Sequence, residues 1–166
     1  MKKTTVFALG ALMSLTLNTA HADSIQRVDP PGSNFPISQV VKVPASAQLI
    51  FVSGTLPDVA DAKAPKGTIA AYGNTETQTL SVLNKLRGIL QAQGLDLGDI
   101  VQLRVFLVGD PDKGNTLDFA GLQAAYTRFF ATAEQPNKPT RTALQVVALP
   151  LPGALVEIEA IAAKTP

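Results

Sequence analysis

The sequence of 166 residues predicts an α+β fold in one domain, with a mixed sheet that carries two helices on one face. Several observations support this fold class. Strand-forming runs occupy residues 39–43, 48–53, 99–108 and two parts of 139–163, and apolar residues recur at helical spacing after residues 74 and 118. Because no repeat or linker divides residues 23–166, we expect a single domain there.

The first strands are expected before residue 54. A short strand is predicted near residues 25–28, and the runs 39–43 and 48–53 predict a hairpin that ends at Ser53 and Gly54. Residues 55–73 contain two prolines, two glycines and few apolar side chains, so we predict a surface loop there.

Two helices follow in the pattern of polar and apolar residues. Thr75 and Gln78 have the spacing of a capping box, and Gly94 is placed to end the first helix. Asp118 is the expected cap of the second helix. The predicted buried stripe of the first helix consists of Leu80, Leu83, Leu86, Ile89 and Leu90.

The closing stretch, residues 139–163, places charges on strands that are otherwise apolar. Side chains alternate between the faces of a strand, so Arg141 shares a face with Ala143, whereas Glu157 and Glu159 point away from Ile158. Unpaired charge is costly to bury, so these three groups need partners or a ligand.

The N-terminus has the pattern of a secretory signal peptide in residues 1–22. Lys2 and Lys3 precede a short apolar run, and residues 20–22 read Ala-His-Ala, a typical cleavage site. We therefore expect export to the periplasm and no membrane association after cleavage. An uncleaved anchor is the alternative.

The composition excludes several kinds of site. His21 is the sole histidine and there is no cysteine, so residues 23–166 hold no histidine-based triad and no ordinary metal site. No cofactor is expected. Residues 23–166 carry 12 basic and 13 acidic side chains, a balance that argues against nucleic-acid binding. Because the two helices cover only one sheet face, we expect self-association through the other.

Spaced motifs identify a resemblance that covers nearly all of residues 23–166. They occur in one order along the chain: Phe51-Val52-Ser53-Gly54, Gly98-Asp99-Ile100-Val101, Tyr126-Thr127-Arg128-Phe129-Phe130, Pro139-Thr140-Arg141-Thr142, and Val156-Glu157-Ile158-Glu159-Ala160-Ile161-Ala162. The chain resembles the Rid family (RidA/YjgF-type) of enamine and imine deaminases.

The resemblance implies a chorismate-mutase-like fold with a six-stranded mixed sheet, assembled as a homotrimer with sites between subunits. It also implies hydrolysis of 2-imino acids, such as 2-iminobutanoate and 2-iminopropanoate, to 2-keto acids and ammonia without a cofactor. In this comparison Arg141 holds the substrate carboxylate, Glu157 lies near the water, and Ser53 and Gly54 line the site.

The chain departs from the family pattern at the opposite wall of the implied site. Ile37 stands where deaminase members carry tyrosine in Gly-Pro-Tyr-[Ser/Thr]-Gln, and Gln123 and Ala143 replace a common asparagine and cysteine. The loop over residues 110–117 is longer than usual. These departures bear on substrate range and turnover.

Each site residue also has a structural interpretation. Arg141 can pair with Glu157 or Glu159, and Glu159 can be held by an arginine in a subunit interface. Ser53 can end a strand, Gly54 can supply a backbone conformation that other residues resist, and Tyr126 is expected in the core.

Three functions therefore remain open at the level of the sequence. The first is an imine deaminase, the second a non-catalytic binder of small carboxylates or keto acids, and the third a chaperone-like protein or ribonuclease.

Overall fold

The computed structural model describes residues 24–166, and the predicted signal peptide lies outside them. The strands are β1 Gln26–Val28, β2 Val40–Lys42, β3 Gln48–Thr55, β4 Ile100–Val108, β5 Thr140–Val146 and β6 Val156–Lys164; the helices are α1 Ile69–Tyr72, α2 Thr75–Gln91 and α3 Phe119–Tyr126. This is the predicted α+β arrangement.

The six strands do not form the single six-stranded sheet that the family resemblance implies, because they divide between a four-stranded and a two-stranded sheet. The larger sheet has the order β3-β6-β4-β5, in which β4 and β5 are parallel and the other pairs are antiparallel, so it is mixed as predicted. β1 and β2 form a separate antiparallel ladder.

The hairpin predicted for residues 39–53 is wrong. β2 pairs with β1, whereas β3 pairs with β6 at the edge of the larger sheet. The chain passes from one sheet to the other through a turn in which the Ala47 N–H donates to the Pro44 carbonyl at 3.1 Å. Arg27 secures the ladder by donating hydrogen bonds to the carbonyl oxygens of Gly98, Ile100 and Lys138 at 2.8–3.0 Å.

The core lies between the larger sheet and the two long helices. Leu83, Leu86 and Leu90 of α2 are buried in this core as predicted, and Leu80 is partly buried against it. The placement of Ile89 in the buried stripe is wrong, because this side chain lies at the margin of the stripe, opens on a cleft beside β3 and is 41% exposed. Val82, fully buried, supplements the stripe.

The capping box predicted at Thr75 is also wrong. Asn74 is the N-cap of α2, and its side-chain oxygen accepts from the Thr77 N–H at 3.0 Å. Gln78 is instead fully buried. By contrast, Asp118 caps α3 as predicted, and Gly94 has a positive φ of 70° just beyond α2.

The loop prediction for residues 55–73 is correct only in part, because these residues also form the single-turn helix α1, where Ala71 and Tyr72 are buried. The Ala71 carbonyl accepts from the N–H groups of Ala60 and Asp61 and so folds the loop back on itself. No helix within residues 24–166 is both long and apolar enough to cross a bilayer.

Candidate functional site

Arg141 lies on β5, the edge strand of the larger sheet, and faces the side that the helices cover. The register fixes this, because Arg141 is opposite Leu103 and Ala143 is opposite Val105, both of them core residues of β4. The guanidinium therefore leaves the sheet toward α3, and Arg141 is half-buried.

Three aromatic rings surround the guanidinium of Arg141. Its central carbon lies 4.3 Å from the ring centroid of Tyr126 and 5.6 Å from those of Phe35 and Phe119. Phe35 and Phe119 stack on each other, with centroids 6.4 Å apart and planes 7° from parallel. Cation–π attraction stabilises a guanidinium in such surroundings but leaves its in-plane N–H donors available.

No anion in the described part of the chain neutralises Arg141. Nη1 is buried without a hydrogen-bond partner, and no carboxylate of residues 24–166 lies within 4.0 Å of the side chain. Burial lowers the pKa of Arg141 below its ordinary value, and the charge interaction with Tyr126 opposes that shift. A buried cation with a free donor and no counter-ion fits an anionic ligand.

Two further polar atoms without partners lie on α3. Tyr126 is 1% exposed, and its hydroxyl and the side-chain oxygen of Gln123 are buried with no hydrogen bond within residues 24–166. Burial raises the pKa of Tyr126 well above its ordinary value, against the opposing charges of Arg141 and Arg27. The phenol therefore stays protonated and can donate. Tyr126 is a core residue, as predicted, and also the ring that supports Arg141.

Glu157 lies on the opposite face of the sheet. It is opposite Phe106 of β4, whereas its neighbour Ile158 is opposite Val105 and points into the core. Its carboxylate lies against Gly54, where the β3–β6 register shifts, and a Cβ at Gly54 would overlap the Glu157 carboxylate oxygen. Gly54 therefore leaves the room that the Glu157 side chain occupies.

Glu159 is held by Arg104. The two residues are opposite each other on β6 and β4, and Arg104 Nε lies 3.3 Å from a carboxylate oxygen of Glu159. With Ser53, which is exposed, they line a cleft of about 190 Å³ on this open face. A partly exposed ion pair of this kind contributes little to stability.

The structure thus separates the predicted site residues into two groups. Arg141 and Gln123 lie on the helix-covered side, whereas Glu157, Gly54 and Ser53 lie on the open face beside β3. Arg141 and Glu157 are also two strands apart, roughly 10 Å at the usual strand spacing. Within one chain they therefore neither pair with each other nor meet one small ligand.

Comparison with known proteins decides the family. Residues 28–164 match the family described as Endoribonuclease L-PSP, which is the YjgF/RidA family. The chain belongs to this family.

Relatives and solved structures agree with that assignment. Protein DfrA of Myxococcus xanthus is 38% identical over 76% of this chain and 84% of its own length, and a RutC family protein of Pyrococcus horikoshii is 33% identical over 78% and 87%. The crystal structure of Escherichia coli TdcF with bound serine is similar, with a TM-score of 0.53 and 31% identity over 86% of this chain and 97% of that one. The fold is accordingly the chorismate-mutase-like fold of the YjgF/RidA family.

The sequence pattern of the YjgF/RidA family predicts only some of the residues around Arg141. Phe35 and Phe119 are not among the predicted site residues, because nothing in their spacing indicates that a loop and the start of a helix meet over β5. Ile37, where the family pattern has tyrosine, is half-buried and packs against the core.

Within residues 24–166 of this YjgF/RidA chain, no three His, Cys, Asp or Glu side chains lie close enough together to bind a metal ion. The chemistry available at the site is therefore that of a guanidinium, a carboxylate, a phenol and an amide.

Proposed function

We propose that this protein hydrolyses 2-imino acids to 2-keto acids and ammonia, as an exported member of the YjgF/RidA family. The observation that supports this most directly is Arg141, a half-buried cation with a donor that lacks a partner and no counter-ion within residues 24–166. A planar fork of N–H donors matches a carboxylate in two parallel hydrogen bonds.

The ligand carried by a relative is compatible with such an anchor. TdcF of Escherichia coli was crystallised with bound serine, which bears a carboxylate and, on the next carbon, a nitrogen. A 2-imino acid has the same order of groups. Bound through its carboxylate to Arg141, it would place its C2 carbon and imine nitrogen at the edge of β5.

The water-activating group comes from a second copy in this proposal. Arg141 lies on the β5 edge of the sheet, and Glu157 lies beside the β3 edge, so a head-to-tail contact between copies can bring the two together. Repetition of this contact closes a ring, and a homotrimer with three sites is the assembly that we propose.

The reaction then needs one carboxylate acting in turn as base and acid. Glu157 accepts a proton from water as the water oxygen bonds to C2 of the protonated imine, which gives a carbinolamine. The protonated Glu157 returns this proton to nitrogen. As the C–N bond breaks, Glu157 takes the hydroxyl proton and the C2 carbonyl forms. The departing ammonia then takes this proton from Glu157 and leaves as ammonium, which returns Glu157 to its carboxylate form.

The test is an imine-hydrolysis assay. A D-amino-acid oxidase with catalase generates the imine in the cuvette, and the fraction trapped by semicarbazide is followed with and without this protein. Arg141→Ala is expected to lower the rate at least about thirtyfold, because truncating one partner of a buried charge pair removes about 2 kcal/mol or more of binding.

Arg128→Ala is the matched control, since Arg128 is an exposed arginine whose charge is already paired with Glu76. It is expected to match the wild type. Wild-type protein that adds nothing to the uncatalysed rate would falsify the proposal. Glu157→Gln should abolish turnover and still bind 2-keto acids.

A second candidate is a binder of small carboxylates without turnover. The observation that favours it is the separation of Arg141 from Glu157, since a single copy offers an anchor and no water-activating group. Calorimetry with 2-ketobutanoate distinguishes the candidates: binding that depends on Arg141, with no hydrolysis by the oligomer, supports the binder. The even charge balance of residues 23–166 argues against a ribonuclease.

Export is part of the proposal and rests on the sequence of residues 1–22. Imines outside the cytoplasm would then arise from amino-acid oxidation there. N-terminal sequencing of protein from the periplasmic fraction should begin at Asp23.

A further inference from the structure

The Phe35–Phe119 stack is the feature next to Arg141 that the proposed chemistry does not use. Phe35 comes from the segment between β1 and β2, and Phe119 is the first residue of α3. Both rings are partly open to solvent, 36% and 41% exposed, although they are large and apolar. A pair of parallel rings exposed beside a buried cation is a surface that an apolar group can cover.

Hydrogen bonds from distant parts of the chain hold both rings in place. Gln145, on the same face of β5 as Arg141, accepts from the Leu117 N–H at 2.9 Å and donates to the Asn115 carbonyl at 3.0 Å. These bonds fix the loop that ends at Asp118, directly before Phe119.

The segment that bears Phe35 is fixed independently. Arg27 fastens β1 to the larger sheet through three backbone carbonyls, and the Ser38 hydroxyl donates to the Lys138 carbonyl at 2.8 Å. Both rings therefore belong to the structure of the site and form a preformed wall.

The distances put this wall where a substrate side chain would lie. Each ring centroid is 5.6 Å from the central carbon of the Arg141 guanidinium. A carboxylate on the guanidinium is held by N–H···O bonds of about 2.8 Å, and the side chain of a 2-imino acid branches from the next carbon. A substituent at C2 that extends along the Phe35–Phe119 side can therefore reach rings that have unburied surface.

We infer that the Phe35–Phe119 wall makes the site selective for 2-imino acids with large apolar side chains, aromatic ones above all. This inference rests on the proposed function and deepens it. A flat aromatic side chain can extend the existing stack and bury the exposed faces, whereas a methyl group covers little of them. Charged side chains are disfavoured, because they would lose water against the rings.

Rates on two imines made by the same enzyme test this inference. A D-amino-acid oxidase converts D-phenylalanine and D-alanine to imines that have no stereocentre at C2, and semicarbazide trapping reports their hydrolysis. The wild type is expected to show a kcat/KM at least about tenfold higher for the phenylalanine-derived imine, the range in which pockets discriminate apolar groups.

Variants of the wall separate its role from general damage to the fold. Phe35→Ala and Phe119→Ala should each lower kcat/KM for the aromatic imine about threefold to tenfold, the worth of one aromatic pair. Hydrolysis of the alanine-derived imine should fall by a smaller factor, so that the ratio of the two kcat/KM values moves toward one. Phe35→Leu keeps apolar bulk without a ring, so its kcat/KM for the aromatic imine should lie between those of the wild type and Phe35→Ala. Val59→Ala, a truncation of an exposed residue in the distant 55–73 loop, should change neither rate.

The possible outcomes distinguish the inferred selectivity from the proposed imine hydrolysis on which it rests. Equal or faster hydrolysis of the alanine-derived imine by the wild type overturns the selectivity and leaves the deaminase proposal standing. If neither imine is hydrolysed, calorimetry with phenylpyruvate and pyruvate decides. If the wild type binds phenylpyruvate more tightly than pyruvate and Phe35→Ala removes this difference, the wall selects ligands in a non-catalytic site. If neither compound binds, both the selectivity and the proposed function are overturned.

Discussion

The arginines show how the role of a residue is set by what lies around it. Four of the five arginines have an oxygen partner: Arg27 has three carbonyls, and Arg87, Arg104 and Arg128 have carboxylates of Asp96, Glu159 and Glu76. Only Arg141 has rings and no oxygen partner within residues 24–166. It is therefore the one among these five whose guanidinium N–H donors have no acceptor in the described chain and remain for a ligand.

Tyr126 leads to a prediction about alkaline pH. Its pKa is raised by burial, so below its ordinary value of 10.0 the phenol is neutral in both the folded and the unfolded chain. Above pH 10 the unfolded chain loses this proton and the folded chain keeps it. The free energy of unfolding should then fall by up to about 1.4 kcal/mol per pH unit through this group.

Tyr126→Phe should remove that dependence. The variant should lose less stability than the wild type between pH 10 and 12 in urea titrations, and the two should have parallel profiles from pH 7 to 9. At neutral pH the loss in the free energy of unfolding caused by Tyr126→Phe should stay below about 1 kcal/mol, because the hydroxyl has no hydrogen-bond partner within residues 24–166. Equal alkaline slopes would show that Tyr126 ionises freely in the folded protein.

At the scale of elements, the start of α2 depends on a residue whose role the sequence misassigned. Gln78 donates to the carbonyls of Gly73 and Gly153 at 2.8 and 3.1 Å and accepts from the Leu155 N–H at 2.7 Å. It therefore joins α2 to the residues that precede β6. A capping residue would act only on its own helix, whereas Gln78 fixes two elements to each other.

Gln78→Leu tests this connection. The change keeps the volume near that of glutamine and leaves buried backbone groups without partners, so we expect a loss of about 2–3 kcal/mol in the free energy of unfolding. Asn74→Ala, which removes only the helix cap, should cost about 1 kcal/mol. Both are measured by urea unfolding at one fixed protein concentration, since an oligomer gains stability with concentration. A smaller loss for Gln78→Leu than for Asn74→Ala would contradict the assignment.

At the scale of the whole molecule, the sheet keeps the two halves of the proposed site apart. Arg141 faces the helices at the β5 edge, and Glu157 faces the open side near β3. The open face also carries Leu49 and Phe51, which are 46% and 71% exposed. Association through this face and these edges would both cover apolar surface and complete the site.

Mixing two inactive variants tests the shared site. In a ring that mixes Arg141→Ala and Glu157→Gln copies equally, about one quarter of the contacts join a native Arg141 to a native Glu157. Mixtures refolded together should therefore regain about a quarter of wild-type hydrolysis, while each variant alone stays inactive. Mass spectrometry of the intact oligomers verifies exchange. Exchanged oligomers without activity would place Arg141 and Glu157 in separate roles.

Many features of this fold follow from local patterns in the amino-acid sequence. The periods of its apolar residues predicted the α+β class, the two long helices and the strand over residues 100–108, because periodicity is a local property. Alternation along the strands also grouped Arg141 with Ala143 and set Glu157 apart from Ile158, and the strand register confirms both groupings. Neither result required knowledge of which strands are neighbours.

The contacts of these residues depend on how distant segments of the chain pack together. The pairing of β2 with β1, the burial of Gln78 and the rings around Arg141 all join parts of the chain far apart in sequence. The wall of Phe35 and Phe119 brings together residues more than eighty positions apart. Local patterns fix the direction of a side chain, but the packing of distant segments determines its partners, and so the composition of the site.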